Sequence, residues 1–448
     1  MQRYQQFKKY KSTRCAWLKE IPEHWSVKRL KNVATYNDDV LDEQTDPDLE
    51  IHYVDISSVT LTKGIEKTET MLFEKAPSRA RRKVKDGDII VSTVRTYLKA
   101  IAPISSPPEN MIVSTGFAVI RPKEGLHAGF AGYLLQSDGF VGEVVANSVG
   151  VSYPAINASA LVRIAVAVPP LEEQQAITRF LDYKTAQIDV LIRNQKTLLD
   201  KLTEKRAALI SHSVSKGLDP LVPMRDSGVE WLAQVPEHWS VKRLKNVATY
   251  NDDVLDEQTD PDLEIHYVDI SSVTLTKGIE KTETMLFEKA PSRARRKVKD
   301  GDIIVSTVRT YLKAIAPISS PPENMIVSTG FAVIRPKEGL HAGFAGYLLQ
   351  SDGFVGEVVA NSVGVSYPAI NASALVRIAV AVPPLEEQQA ITRFLDCKIA
   401  QIDKLVVRQQ RLCERLAEYR AALITNTVTG KIDLRRFETL QKNENINK

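Results

Sequence analysis

The stretch EHWSVKRLKNVATYNDDV begins at Glu23 and begins again, letter for letter, at Glu237. The identity runs from Pro22 to Asp182 and from Pro236 to Asp396 with an offset of 214, so 161 residues occur twice in a chain of 448. Solenoid repeats recur about every 20 to 50 residues; a unit of this length is domain-sized. The chain must therefore fold as two copies of one domain. Its flanks repeat in pattern only. CAWLKEIPEHW at Cys15 answers VEWLAQVPEHW at Val229, and the segment from Tyr183 to Asp219 answers that from Cys397 to Asp433. Two diverged halves each hold one identical insert.

Composition places the chain among soluble globular proteins, with 43% hydrophobic and 25% charged residues. No apolar run reaches the length of a membrane span. The start, MQRYQQFKKYKSTR, is basic without an apolar core behind it, and is not read as a secretory signal. Cys15, Cys397 and Cys413 make no C-x-x-C pair and no framework, which fits a reducing cytoplasm.

The net charge of +4 conceals a division. Each repeated unit has 17 Lys+Arg against 21 Asp+Glu, so the two carry −8 and the other 126 residues carry +12. Charge is also sorted inside the unit. Asp38 to Asp55 holds eight acids and no base; Lys75 to Lys99 holds eight bases and two acids. The sorting predicts one face for a polyanion and one that avoids it.

The unit reads as mixed α/β (α+β). SVKRLKNVA is a short amphipathic piece, helix or strand, and residues 37–50 are an acidic loop. LEIHYVDISSVTLTKGIEK reads as strands turning at Lys63-Gly64. A turn at Asp86-Gly87 precedes the strand DIIVSTV. MIVSTGFAVIRP reads as one further strand, HAGFAGYLLQSDGFVGEVVAN as a helix, and the end of the unit as loop, short helix and buried strand. After Pro169-Pro170, neither Pro nor Gly appears until Gly217. Leu181, Ile188, Gln195, Leu202 and Leu209 recur every seven residues, with a second series at Leu191 and Leu198. The other half gives Leu395, Ile402, Gln409, Leu416 and Leu423, with Leu405 and Leu412. These heptads predict two long helices in an antiparallel coiled coil, pseudo-two-fold symmetric, with Gln195 and Gln409 as polar positions inside the seam. The expected domains are 1–170 (arm 1–19), helix 171–218, a second domain 219–384, helix 385–433 and a tail 434–448.

Catalytic signatures are missing. The sequence has no G-x-x-x-x-G-K-[ST], no G-x-G-x-x-G and no H-E-x-x-H, and its seven histidines lack metal-ligand spacing. His24 reads as a packed or capping residue, and Asp86 with Asp88 as turn chemistry. What remains is a basic segment with polar and aromatic residues interleaved. Arg79, Arg81, Arg82 and Lys83 precede a strand; Thr93, Arg95, Tyr97 and Lys99 follow it. NSVGVSYP adds Ser152 and Tyr153. The copies are Arg293, Arg295, Arg296, Lys297, Thr307, Arg309, Tyr311, Lys313, Ser366 and Tyr367. Arginine suits bidentate contact with phosphate and guanine, and lysine neutralises phosphate. These residues are the candidate DNA-binding set.

WLKEIPEHWSVKRLKNV, VKDGDIIVST, VSTGFAVIRP, the exit VPPLEEQQAITRFLD and the tails RAALISHSV and RAALITNTVTGKID resemble the specificity (S) subunit of Type I restriction–modification systems. The resemblance covers nearly the whole chain. It implies two target recognition domains, each reading half of a bipartite site in double-stranded DNA. It also implies a helix pair that fixes the spacer and no catalysis in this chain. Two methyltransferase (M) subunits holding S-adenosylmethionine would dock on the helices and methylate adenine N6. Restriction (R) subunits using ATP and Mg would cut, all in the bacterial cytoplasm and without a membrane. Identical recognition domains depart from the family's usual pair of different ones and imply an interrupted palindrome. The alternatives are a stand-alone sequence-specific DNA-binding protein and a coiled-coil adaptor that binds no nucleic acid.

Overall fold

The structure, a computed structural model, describes residues 4–435; most of the expected tail lies outside them. Contacts divide the chain into two units. The first holds Met1–Gln195 with Arg411–Lys448, the second Lys196–Gln410. Each unit therefore joins one copy of the repeated domain to parts of both long helices.

In the first unit the strands are β1 (Tyr10–Ser12), β2 (Glu20–Pro22), β3 (Ser26–Arg29), β4 (Ala34–Tyr36), β5 (Glu50–Val54), β6 (Glu69–Leu72), β7 (Ala80–Lys83), β8 (Ile89–Ser92), β9 (Ile101–Pro103), β10 (Met111–Ser114), β11 (Phe117–Pro122) and β12 (Ala165–Val168). A hairpin with a three-residue loop joins Val59–Thr60 to Gly64–Ile65. One antiparallel sheet runs β9-β8-β11-β4 and a second runs β6-β5-β10-β7, with β5 and β10 parallel. Strand β12 pairs with β3, and β1 with β2.

Period-two alternation explains the layering. Ile89 and Val91 of β8 join the core beneath the helices, while Ile90 joins Val54, Val113 and Phe117 between the two sheets. A strand covered on both faces reads as an unbroken apolar run, and all four residues of β8 are buried. The helices over the first sheet are α1 (Ala128–Gln136) and α2 (Asp138–Ala146). The run read as one helix thus breaks at Ser137, which has extended backbone. Likewise MIVSTGFAVIRP is two strands in different sheets, turned at Thr115-Gly116. A Cβ on Gly116 would lie 2.5 Å from Ile56 Cδ1, so the turn is tight.

The long helices are α3 (Leu171–Lys216) and α4 (Leu385–Val428). At 46 residues, α3 spans roughly 69 Å. Glu172 and Glu173 occupy its first turn, where the helix dipole favours acids. In the first unit Leu181 and Ile188 of α3 share a core with Leu423, Ile424 and Val428 of α4. In the second unit Leu202, Ile210 and Val214 share one with Leu395, Ile399 and Ile402. Early α3 meets late α4 and the reverse, so the helices run antiparallel. Asp189 accepts from Arg420 Nε at 2.9 Å, and Asp403 lies 3.7 Å from Arg206 Nε.

The first heptad series is buried or half-buried at Leu181, Ile188, Leu202, Leu209, Leu395, Ile402, Leu416 and Leu423. Gln195 and Gln409 are half-buried, and each has a buried Oε1 without a hydrogen-bond partner. The second series is a correction. Leu191, Leu198, Leu405 and Leu412 are exposed, at 39–47%. The residues turned inward lie four, not three, after the first series: Thr185, Ile192, Leu199 and Arg206 on α3, and Ile399, Val406, Cys413 and Arg420 on α4.

Each repeated domain is anchored by the end of the helix that does not follow it. Gly430, just beyond α4, has φ +76°, and a Cβ there would lie 2.3 Å from Pro22 Cδ and 3.1 Å from Trp25. Gly217, just beyond α3, has φ +78°, and a Cβ there would lie 3.1 Å from Glu387 Oε1 and 3.3 Å from Trp239. In both places glycine alone meets the left-handed C-terminal cap and the close approach. Trp25 and Trp239 are 1% exposed, and their indole N–H groups donate to Glu173 and Glu387. His24 also bonds Glu173, at 2.7 Å, which makes the PEHW histidine a packing residue.

Candidate nucleic-acid interface

The candidate residues fall into two groups on each domain. Arg95, Tyr97 and Lys99 surround a 3₁₀ turn at Thr96–Leu98, beside the loop that carries Ser152 and Tyr153. Arg95 and Lys99 both have left-handed backbone, with φ 50° and 51°. For non-glycine residues that conformation costs about 1–2 kcal/mol. The turn is held by bonds to its surroundings. Thr96 Oγ1 meets Ser148 Oγ at 2.8 Å, Thr96 N donates to Pro154 O at 3.3 Å, and Ile156 N donates to Thr93 O at 2.8 Å. The Arg95 guanidinium lies 5.3 Å from the Tyr153 ring centre, a cation–π arrangement. Tyr97 and Tyr153 remain exposed, at 52% and 67%. A backbone strained by its surroundings, aiming a cation and two rings at solvent, has the form of a recognition surface.

The second copy repeats it. Arg309 has φ 49° and lies 5.3 Å from the Tyr367 ring, Lys313 has φ 50°, and Thr310 meets Ser362 at 2.8 Å. Tyr311 and Ser366 are exposed with them.

The other group lies along β7 and is largely engaged. Arg79 donates to Asp55 and to Tyr53 Oη, and Arg293 makes the same bonds to Asp269 and Tyr267. Arg81 and Arg295 stack over Phe73 and Phe287 at 4.6 and 4.7 Å. Arg82 and Arg296 are half-buried, with Nε buried and unpartnered; burial holds their pKa below the usual value. Lys83 and Lys297 are free on the surface. Thr93 and Thr307 point inward, 8% exposed, and donate to the carbonyls of Gly116 and Gly330 at 2.9 Å. Their role is to position the turn.

The sorted charges interlock in part. Residues 39–41 run along β7, where Leu41 N donates to Arg81 O and Lys83 N to Asp39 O. Asp39 pairs with Lys85 at 2.8 Å and with Arg121 at 2.8 Å. Hydrogen bonds from Lys85, then from Arg121, lower its pKa to about 2. Arg121 forks onto the buried Asp88, with both bonds at 2.8 Å. Asp88 also caps the turn through Lys85 N, and Asp86 accepts from Ser106 N. The acidic segment therefore neutralises part of the basic one. The open cations are chiefly Lys75, Lys83, Arg95 and Lys99.

Two features escaped the sequence reading. Val149 and Val151 flank Gly150 on the loop and are 81% and 102% exposed. The only signal was an apolar pair inside a small-residue loop. Gln174 is fully buried; it accepts from His127 N at 2.7 Å and donates to Gly125 O and Pro169 O, fastening α3 to its domain.

The family model for the Type I restriction modification DNA specificity domain matches residues 22–201 and again 236–409. The chain belongs to this family. The putative type I restriction enzyme MjaX specificity subunit of Methanocaldococcus jannaschii is 24% identical over 446 residues, covering 95% of this chain and 98% of that one. The EcoKI specificity subunit of Escherichia coli is 28% identical over 100 residues, 22% of each chain. Among solved structures, a chain from work on complex assembly and conformational transition of the type I R-M system superposes with a TM-score of 0.72 at 24% identity, covering 92% of this chain and 99% of its own. The HsdS subunit from Thermoanaerobacter tengcongensis gives 0.50 at 23% identity, covering 92% and 98%. Both share the fold. The chain is a Type I specificity subunit, with a DNA recognition domain in each half. Among the described residues, no helix is long and apolar enough to cross a membrane.

Proposed function

We propose that each recognition domain reads one half of a bipartite DNA target through Arg95, Tyr97, Lys99, Ser152 and Tyr153, and through Arg309, Tyr311, Lys313, Ser366 and Tyr367. Lys83 and Lys297 add phosphate contacts. Because the domains have one sequence and one turn geometry, the half-sites are inverted copies of each other, and the target is an interrupted palindrome. Symmetry in the reader imposes symmetry on the site. The long helices set the spacer. Their exposed leucines, Leu191 and Leu198 on α3 and Leu405 and Leu412 on α4, offer apolar stripes on which the helices of methyltransferase subunits can pack. The chain itself contributes no chemistry; S-adenosylmethionine, and the ATP and Mg of restriction, belong to the partners.

The observation that carries this reading is the held, left-handed turn with its arginine–tyrosine pair, present in both domains. Methylome sequencing of cells that express this chain with its methyltransferase subunit tests it. The expected result is N6-methyladenine on both strands of an interrupted palindrome. An asymmetric modified site would overturn the palindrome. Loss of the mark in an Arg95→Ala, Arg309→Ala double variant would tie it to these turns.

A further inference from the structure

Outside the repeat, the two halves differ beside the same surface. A groove of about 680 Å³ in the first unit lies between the residues after β1 and the end of α2. Its charged rim is Lys11, Arg14, Arg29 and Arg163, all exposed, against the single acid Glu143. Among the described residues no ion pair engages any of the four cations. Asn147 lines the groove too, and the next residue, Ser148, is bonded to Thr96 of the recognition turn. The groove is thus linked to the recognition turn through Asn147 and Ser148.

In the second unit the surroundings are re-charged. The pairing of Met224–Asp226 with Gln234–Pro236 repeats that of Tyr10–Ser12 with Glu20–Pro22, which fixes the correspondence at the same offset of 214. Arg14 becomes Gly228, Ser12 becomes Asp226 and Ala16 becomes Glu230. Lys11 becomes Arg225, but that guanidinium is turned away, donating to the carbonyls of Glu237 at 3.2 Å and Trp239 at 2.7 Å. Arg243 and Arg377 remain, and by the same correspondence Asp226, Glu230 and Glu357 stand at the other charged positions. Four cations against one acid become two free cations against three.

We propose that the groove of the first unit is an additional binding site for the DNA phosphate backbone, so that the N-terminal domain holds its flanking DNA more tightly than its identical twin. The inference rests on the DNA-reading role of the adjoining turn. Specificity stays equal in the two halves, because the base-reading residues are the same. Affinity and salt dependence do not.

The duplication supplies the test. Arg163 and Arg377 are the same residue of the same domain, in different electrostatic surroundings. The complex of the full chain with its methyltransferase subunits is titrated with a fluorescent duplex of arbitrary sequence at several salt concentrations. Each phosphate contact contributes about 0.9 to the slope of log affinity against log salt. Arg163→Gln is expected to flatten the slope by about that amount, and Arg377→Gln by less than half of it. The double variant Asp226→Ser, Glu230→Ala, which restores first-half residues to the second half, is expected to steepen it. Equal effects of Arg163→Gln and Arg377→Gln, or none from either, would overturn the inference while leaving DNA recognition in place. A complex whose parent form shows no salt-dependent binding would instead overturn the DNA-reading role of the surface.

Discussion

The recognition domains and the long helices repeat in different ways. In the domains every letter recurs, and with it the buried ion network: Arg121 on Asp88 returns as Arg335 on Asp302, with both fork distances unchanged at 2.8 Å. In the helices only the pattern recurs. Thr185 faces inward where the other helix has Ile399, and Leu199 where it has Cys413. A β-built domain with a buried ion network depends on particular partners at particular distances. A helix seam requires inward-facing positions at a fixed spacing, and it holds different residues there, as Thr185 against Ile399 shows.

The largest expected effect tests the first half of that contrast. Arg121→Met leaves Asp88, 1% exposed, as a buried carboxylate without its cation. Breaking such a pair costs about 3–5 kcal/mol. Urea unfolding should show that loss, and Arg335→Met should match it to within about 0.5 kcal/mol if distant sites act independently. A clear inequality would mean that context outside the repeat reaches the buried network.

The seam is tested next. Leu202→Ala should cost about 2–4 kcal/mol, because the side chain is 8% exposed within a shared core. Leu191→Ala, at 47% exposure, should stay within about 0.5 kcal/mol. Thermal unfolding followed at the helical band of the circular dichroism spectrum separates them. Equal losses would restore the three-residue spacing and refute the four-residue one.

That spacing marks where the sequence stopped being legible. The first heptad series was plain, because Leu181, Ile188 and Leu202 are all apolar. The second was ambiguous, since apolar residues stand both three and four positions on. The true series is disguised by Thr185 and by Arg206, whose charge answers Asp403 across the pair. Strand order was illegible for a related reason. MIVSTGFAVIRP is apolar on both sides of Gly116, and nothing local shows that its halves enter different sheets. The interface was half legible. Residue type found the arginines and tyrosines, but only packing shows that Thr93 is turned inward and that Arg79 is occupied by Asp55. Charge sorting is a property of the linear chain and does not show that folding lays residues 39–41 along the basic strand.

The smallest expected effect concerns that same contact. Asp39 and Asp253 have pKa values lowered to about 2 by hydrogen bonds from Lys85 and Lys299, and then from Arg121 and Arg335. An unfolded aspartate titrates near about 3.9. A depressed folded-state pKa means stability that is complete above about pH 4 and lost as pH falls toward about 2. Asp39→Asn should therefore be less stable than the parent at neutral pH, by a modest amount because the carboxylate is 31% exposed to screening water. The difference should shrink as pH falls through about 2, where the parent is half protonated, and vanish near about pH 1. Urea midpoints between those limits are the measurement, and Asp253→Asn should trace the same curve. A difference that survives at low pH would assign the contact to packing rather than to charge. The interlocking of the acidic and basic segments would then be a consequence of the strand pairing and not one of its causes.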